Sequence, residues 1–268
     1  MTVATHPSDR LRPLLRRLTG DEKHSPSAYS TIDVLWVLYD RILRISPEKP
    51  EEPDRDRFLL SKGHGPAAYY AVLAAKGFFP VDWLDDLGGW DSPLGHHPDR
   101  IRIPGVEIGT GSLGHGLGIG VGMAYAEYLK ETDCGVYVVL SDGELQEGST
   151  WEAAQMAANH KLERLLLFVD LNDFGGLERI SEHHPAVFPV VEKFQAFGWE
   201  AVEVNGHDAA AMHAAVAARK GGKPFVLVCK TVKGRGVSYM EHVPIWHYRS
   251  PNKDEYAQAM RELVEVSA

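Results

Sequence analysis

Cysteine is nearly absent from this chain: Cys134 and Cys229 are the only two, and no CxxC spacing occurs. That argues against a disulfide framework and against a cysteine-built metal or redox centre. Each thiol sits in or beside an apolar strand-like run, so both are expected to be reduced core residues of a cytoplasmic protein. Positive charge is also in deficit, with 28 Lys and Arg against 37 Asp and Glu, a net charge of −9. No basic stripe is visible, so nucleic acid is not an expected partner. No apolar run approaches the roughly 18 residues of a membrane helix, so no membrane partner is expected either. Met1 to Pro13 lacks the apolar core of a secretory signal. Internal repeats and low-complexity tracts are missing as well. What remains is a globular composition, 44% hydrophobic over 268 residues, long enough for a large α/β core.

Residues 1–24 are charged and are expected to be partly mobile. From Thr31 to Ile45 the apolar residues Ile32, Leu35, Leu38, Ile42 and Ile45 recur at helical spacing. Ser46 to Arg57 reads as a charged loop and Ala67–Lys76 as a small-residue helix. Trp83–Val106, rich in Gly, Pro and His, reads as a long ordered loop. The second half alternates. Strands are expected at Val136–Leu140, Leu165–Asp170, Ala201–Val204 and Phe225–Cys229. Helices are expected at Ser149–His160, Phe188–Phe197 (with Pro189 in its first turn), Asp208–Ala218 and Asp254–Val264. Strands alternating with helices of about a dozen residues imply βαβ crossovers and a parallel sheet, whose ligands bind beyond the carboxyl ends of the strands.

The chemistry is expected there. The strand Val136–Leu140 runs into Ser141-Asp142-Gly143-Glu144-Leu145-Gln146-Glu147-Gly148, and Leu165–Asp170 into Leu171-Asn172-Asp173. In a parallel sheet both turns lie at one end. Asp142 offers a carboxylate oxygen and Asn172 an amide oxygen, donors suited to Mg²⁺ shared with phosphate. Gly143 permits close backbone approach, and the following helix start offers N–H groups to an anion. Taken alone, Asp142-Gly143 is more simply a helix cap after a strand.

The wider segment adds to this. SDGELQEGSTWEAA followed by HKLERLLLFVDLND resembles the thiamine-diphosphate motif of transketolases, which opens with GDGELQEG and WEAA and closes on an Asn about 30 residues later. RFLLSKGH at 57–64, PGVEIGTGSLGHGLGIGVGMA at 104–124, and KTVKGRG with IWH within 230–247 are similar to three further motifs of that family, in the same order. Ser141 stands where the family has Gly and is compatible with a negative φ. The resemblance implies the fold: a three-layer α/β domain with a mainly parallel sheet flanked by helices, the type that binds the diphosphate end of thiamine diphosphate, spanning 1–268 as one domain.

It also implies residue roles. Asp142 and Asn172 would bind Mg²⁺ by side chain and Phe174 by its carbonyl. Gly143 and Glu144 would lie against the diphosphate; His64, His247 and Lys233 would contact it. Gly111 and Leu113 would meet the aminopyrimidine through backbone atoms. His24, His64, His97 and His247 would serve proton transfer around a sugar carbonyl, a task suited to imidazole. His24 departs most, since Lys23-His24-Ser25-Pro26 stands near the family's GHPG. His115 replaces a common Gln and is open to a proton-shuttle or a packing role. Glu147 and Glu152 are either solvated acids at a helix start or, as in the family, part of a proton network at a subunit interface. The remaining histidines, His6, His160, His183, His184, His207, His213 and His242, read as surface or loop residues. Gly95-His96-His97 lacks a third ligand for zinc.

The family carries an activating Glu and most sugar-phosphate-binding Arg residues on a second, pyrimidine-binding domain that this sequence does not contain. The resemblance therefore implies the N-terminal subunit of a split transketolase, joined to a pyrimidine-domain partner as α₂β₂. Apolar residues near Gly111–Met123 and Glu147–Met156 would lie at its interfaces. It would move a two-carbon ketol unit from a ketose-phosphate donor. An alternative is a subunit of a 2-oxo-acid dehydrogenase-like or hybrid enzyme that hands the unit to a lipoyl or carrier protein. A cofactor-binding remnant with a regulatory role is the non-enzymatic reading, against which the intact metal and His positions count.

Overall fold

The computed structural model describes residues 11–15, 17 and 25–265. Its frame is a five-stranded, all-parallel sheet. The chain supplies β1 (Arg57–Leu60), β2 (Val136–Ser141), β3 (Leu165–Leu171), the short hairpin β4 (Phe174–Gly175) and β5 (Glu178–Arg179), then β6 (Glu200–Asn205) and β7 (Phe225–Lys230). The order across the sheet is β1-β2-β3-β7-β6, with β4-β5 apart.

Strand side chains alternate between faces, and two cores result. On β2 and β3, Tyr137, Val139, Leu166 and Phe168 join one apolar cluster, while Val136, Val138, Leu140, Leu165, Leu167 and Val169 join the other. Helices cover both: α1 (Arg12–Leu15), α2 (Ser25–Val37), α3 (Ala67–Ala75), α8 (Ala209–Ala217) and α9 (Lys253–Glu265) on the first; α4 (Gly116–Leu129), α5 (Gly148–Asn159), α6 (Ile180–His183) and α7 (Val190–Ala196) on the second. The parallel sheet is the one expected from the βαβ pattern, and its three layers are those the resemblance implies. Strands β2, β3 and β7 are buried along almost their whole length, which is why each reads as an uninterrupted apolar run.

The structure corrects several boundaries. The helix expected over Thr31–Ile45 begins at Ser25, passes into a π turn at Leu38–Ile42 and stops short of Ile45. Pro189 does not lie inside a helix; it caps α7, which starts at Val190. Strand β1 and helix α4 are additions to the expected elements. Helix α4 carries Gly116, Gly118, Gly120 and Gly122, each unfavourable in a helix by about 1 kcal/mol. Packing overrides propensity: a Cβ at Gly120 would meet Val138 Cγ2 at 2.6 Å, so only glycine lets the helix lie this close to β2. Within the charged N-terminal stretch, Leu11, Arg12 and Leu15 are buried, the two leucines in the first core. The expected loop over 83–106 opens inside a 3-10 helix at Val81–Asp86 and is irregular after it, anchored by buried Leu84, Leu87, Leu94 and Ile103 and by Tyr70 Oη donating to Gly95 O at 2.9 Å. Both cysteines are free and buried. No helix among the described residues is long and apolar enough to cross a membrane.

Candidate functional site

The carboxyl ends of β1, β2, β3 and β7 run into 61–64, 142–147, 172–174 and 231–234, and all four segments meet around one cavity of about 370 Å³. Of the expected residues, His64, Gly111, Leu113, Gly143, Asn172, Phe174, Lys233 and His247 line it. Ser27, Lys62, Ser141, Gln146, Gly175, Gly176 and Tyr248 line it too, beyond the residues the sequence singles out. Ser141 ends β2 and is not among the residues with positive φ, so its hydroxymethyl is accommodated.

Asp142 lies beneath the cavity wall, fully enclosed. Its Oδ1 accepts from Gly143 N at 2.9 Å, and its Oδ2 accepts from Asn172 N at 2.8 Å and Asp173 N at 2.5 Å. The carboxylate thus staples the β2 turn to the β3 turn. Asp173 completes the joint with a φ of 69°, a left-handed conformation that Asp tolerates, its own carboxylate held by Ser181 and Arg179. Burial, reinforced by the neighbouring Asp170, pushes the Asp142 carboxyl up to about 7. Among the described residues no three His, Cys, Asp or Glu side chains gather as a metal cluster. A cation here would rely on Asp142 and neutral oxygens.

Asp170 behaves oppositely. Burial works to raise it, but Lys62 Nζ at 2.5 Å and donors from Thr231 and Thr31 bring it down to about 2. Lys62 is itself enclosed and also donates to Thr31 Oγ1 at 2.6 Å. Lys233 is the other buried cation that lines the cavity. Burial, with Lys62 adding and Asp142 opposing, lowers it to about 8. Its Nζ lies 2.5 Å from His247 Nδ1. With the ammonium donating, Nδ1 accepts and the imidazole carries its proton on Nε2. The rings of His64 and His247 sit 6.2 Å apart.

Several expected residues lie elsewhere. Glu144 does not line the cavity. Its Oε1 accepts from Ser61 Oγ and from Gly114 N at 2.8 Å, and Ser61 Oγ accepts in turn from Gly116 N at 3.0 Å. Glu144 is thus a strut joining the metal turn, the 61–64 turn and the 110–116 loop. Its Oε2 is buried with no hydrogen-bond partner, and burial raises its carboxyl. Glu147 and Glu152 are exposed at the start of α5. His97 is exposed and lines a separate open groove with His115, on the other side of Gly111. His24 lies outside the described residues, as does His6. His207 lies in the turn after β6, as a loop residue, but is buried and not at the surface, hydrogen-bonded to Asp33 and to the Val232 amide. His160, His183, His184, His213 and His242 are not buried.

Comparison with known proteins adds independent evidence. A family model described as "Transketolase, thiamine diphosphate binding domain" matches residues 19–264. One of the subunits of the apulose-4-phosphate transketolase of Phocaeicola vulgatus is 39% identical over 247 residues, covering 90% of this chain and 86% of the relative. The 6-deoxy-6-sulfo-D-fructose transketolase subunit SqwG of Clostridium sp. (strain MSTE9) is 36% identical, covering 95% of both chains. The crystal structure of transketolase from Campylobacter jejuni superposes with a TM-score of 0.86 at 28% identity, over 98% of this chain and 43% of that one. The chain therefore spans less than half the length of that solved transketolase.

Proposed function

The chain belongs to the family of transketolase thiamine-diphosphate-binding domains, and from that premise we propose that it is the diphosphate-binding subunit of a two-component transketolase, moving a two-carbon ketol unit from a ketose phosphate to an acceptor. The observation that carries this reading is the meeting of four strand-end segments around one cavity lined by Lys233, His64 and His247, with Lys62 paired to Asp170 beside them. Such a cavity suits a multiply charged anion. Its floor has room: a Cβ at Gly143 would meet nothing closer than Gly175 Cα at 3.8 Å. The cation suited to the oxygen donors Asp142 and Asn172, with the Phe174 carbonyl, is Mg²⁺.

Bound thiamine diphosphate would supply carbanion stabilisation at the reacting carbonyl. The chain's own residues do the rest. Lys233 and His247 hold the diphosphate end. His64 and His247 present imidazoles to the cavity, and Gly111 and Leu113 present backbone to the aminopyrimidine. His97 serves the sugar from the side of the second polypeptide, and His24 has a proton-transfer role only as the resemblance assigns it. Glu147 and Glu152, exposed on α5, extend a proton network into that polypeptide, which brings the activating acid and completes an α₂β₂ assembly with two shared sites. Exposed Ile119 and Met156 suit that interface. The relatives named as transketolase subunits favour ketol transfer over hand-off to a lipoyl or carrier protein.

Calorimetric titration of the chain with thiamine diphosphate tests the cofactor assignment. Binding is expected with Mg²⁺, and is expected to be lost with EDTA or in Asp142→Ala. Equal affinity in Asp142→Ala would refute the metal assignment.

A further inference from the structure

The loop 231–234 carries Lys233 but has no regular structure of its own, so something must fix it. The turn after β6, Asn205-Gly206-His207, lies against it. A Cβ at Gly206 would meet Thr231 Cγ2 at 2.6 Å, so glycine is what permits the approach. His207 follows and is buried, as is Asp33 on α2. Its Nδ1 lies 2.6 Å from Asp33 Oδ2, and its Nε2 accepts from Val232 N at 2.8 Å. Both ring nitrogens are therefore committed. The amide can only donate, so Nε2 must be the acceptor and Nδ1 carries the proton toward the carboxylate. Asp33 Oδ2 also lies 3.5 Å from Arg235 Nη1, a second tie to the same loop. A third comes from the first turn of α2, where Pro26 O accepts from Gly234 N at 3.1 Å.

We infer that His207, oriented by Asp33, is a positioning residue for the cofactor: it fixes the Val232 amide and thereby the adjoining Lys233, whose ammonium lies 2.5 Å from His247. Burial alone requires both nitrogens to be satisfied; what ties His207 to the site is that its acceptor holds the amide one residue before a cavity lysine. The inference rests on the cofactor reading above, so its test has two arms.

The first arm is a double-mutant cycle on thiamine diphosphate affinity in Mg²⁺. His207→Phe removes the acceptor and is expected to weaken binding about tenfold, the scale of one lost buried hydrogen bond. His207→Gln keeps an acceptor and a donor and is expected to stay within about threefold of wild type. In a Lys233→Ala background, His207→Phe is expected to change affinity less than about twofold, because the group it positions is gone. An unchanged affinity in His207→Phe, or the same loss in both backgrounds, overturns the proposal. The second arm is hydrogen exchange of the 230–236 segment without ligand. Protection of the Val232 amide is expected to fall in His207→Phe and to return in His207→Gln. Unchanged protection overturns the proposal even where binding changes. If the wild-type chain binds no thiamine diphosphate, the cofactor reading fails, while the exchange arm still decides whether His207 holds the loop.

Discussion

Replacing Lys62 with methionine would take the cation from a fully enclosed ion pair. Lys62 and Asp170 have side-chain exposures of 1% and 0%, with Nζ 2.5 Å from Oδ2. The carboxyl is held at about 2 against an ordinary 3.8 although burial pushes it upward. At 1.36 kcal/mol per tenfold in proton affinity, that depression corresponds to about 2 kcal/mol of stability. The sign follows from its direction: the contribution is present above about pH 4 and is lost as pH falls through about 2. Methionine forfeits this and leaves the desolvation cost uncompensated, so breaking the pair is expected to cost about 3–5 kcal/mol. For a chain of this size that is roughly a 10 °C fall in melting temperature near neutral pH. The assay is thermal unfolding followed by circular dichroism. Adding Asp170→Asn to Lys62→Met is expected to recover most of the loss, because the charge left behind is removed. The gap between wild type and Lys62→Met is expected to close as pH is lowered, because the unpaired Asp170 of the variant takes up its proton first. A melting temperature within about 2 °C of wild type at neutral pH would refute the reasoning.

Mg²⁺-dependent cofactor affinity is expected to weaken as pH falls below about 7, since burial raises Asp142 to that value and a cation needs the carboxylate. Calorimetry across pH 5.5–8 should also register proton release on binding below about 7, and a flat affinity would contradict it. Glu144→Ala leaves the Ser61 hydroxyl and the Gly114 amide without their shared acceptor. Urea unfolding is expected to show a loss of about 2 kcal/mol, with faster proteolysis in the 109–115 loop.

Whatever is coded locally is legible in the sequence. The strands β2, β3 and β7 are uninterrupted apolar runs, and they fall within a residue or two of the expected spans. The turn beginning at Asp142 and the turn at Asn172 must then share one end of the sheet. What depends on distant partners is not legible. Lys62 meets Asp170 across 108 residues, and His207 meets Asp33 across 174, so neither pairing leaves a pattern in any window. Glu144 belongs to the expected turn, but which way its side chain faces is decided by the 110–116 loop closing over it. Helix α4 is hidden by its glycines, which oppose helix formation locally and are required by the packing of Gly120 on Val138. Pro189 is ambiguous because a proline suits both a helix cap and a first turn.

The proposed division of labour gives this chain the cofactor's diphosphate end and a second polypeptide the rest of the site. The direct measurement is steady-state ketol transfer from a ketose phosphate, with excess Mg²⁺ and thiamine diphosphate, by the purified chain alone and after mixing with a pyrimidine-domain polypeptide from the same genome. No turnover is expected from the lone chain and about 1 s⁻¹ or more from the mixture, with saturation near a one-to-one ratio. Turnover of about 1 s⁻¹ by the chain alone would contradict it.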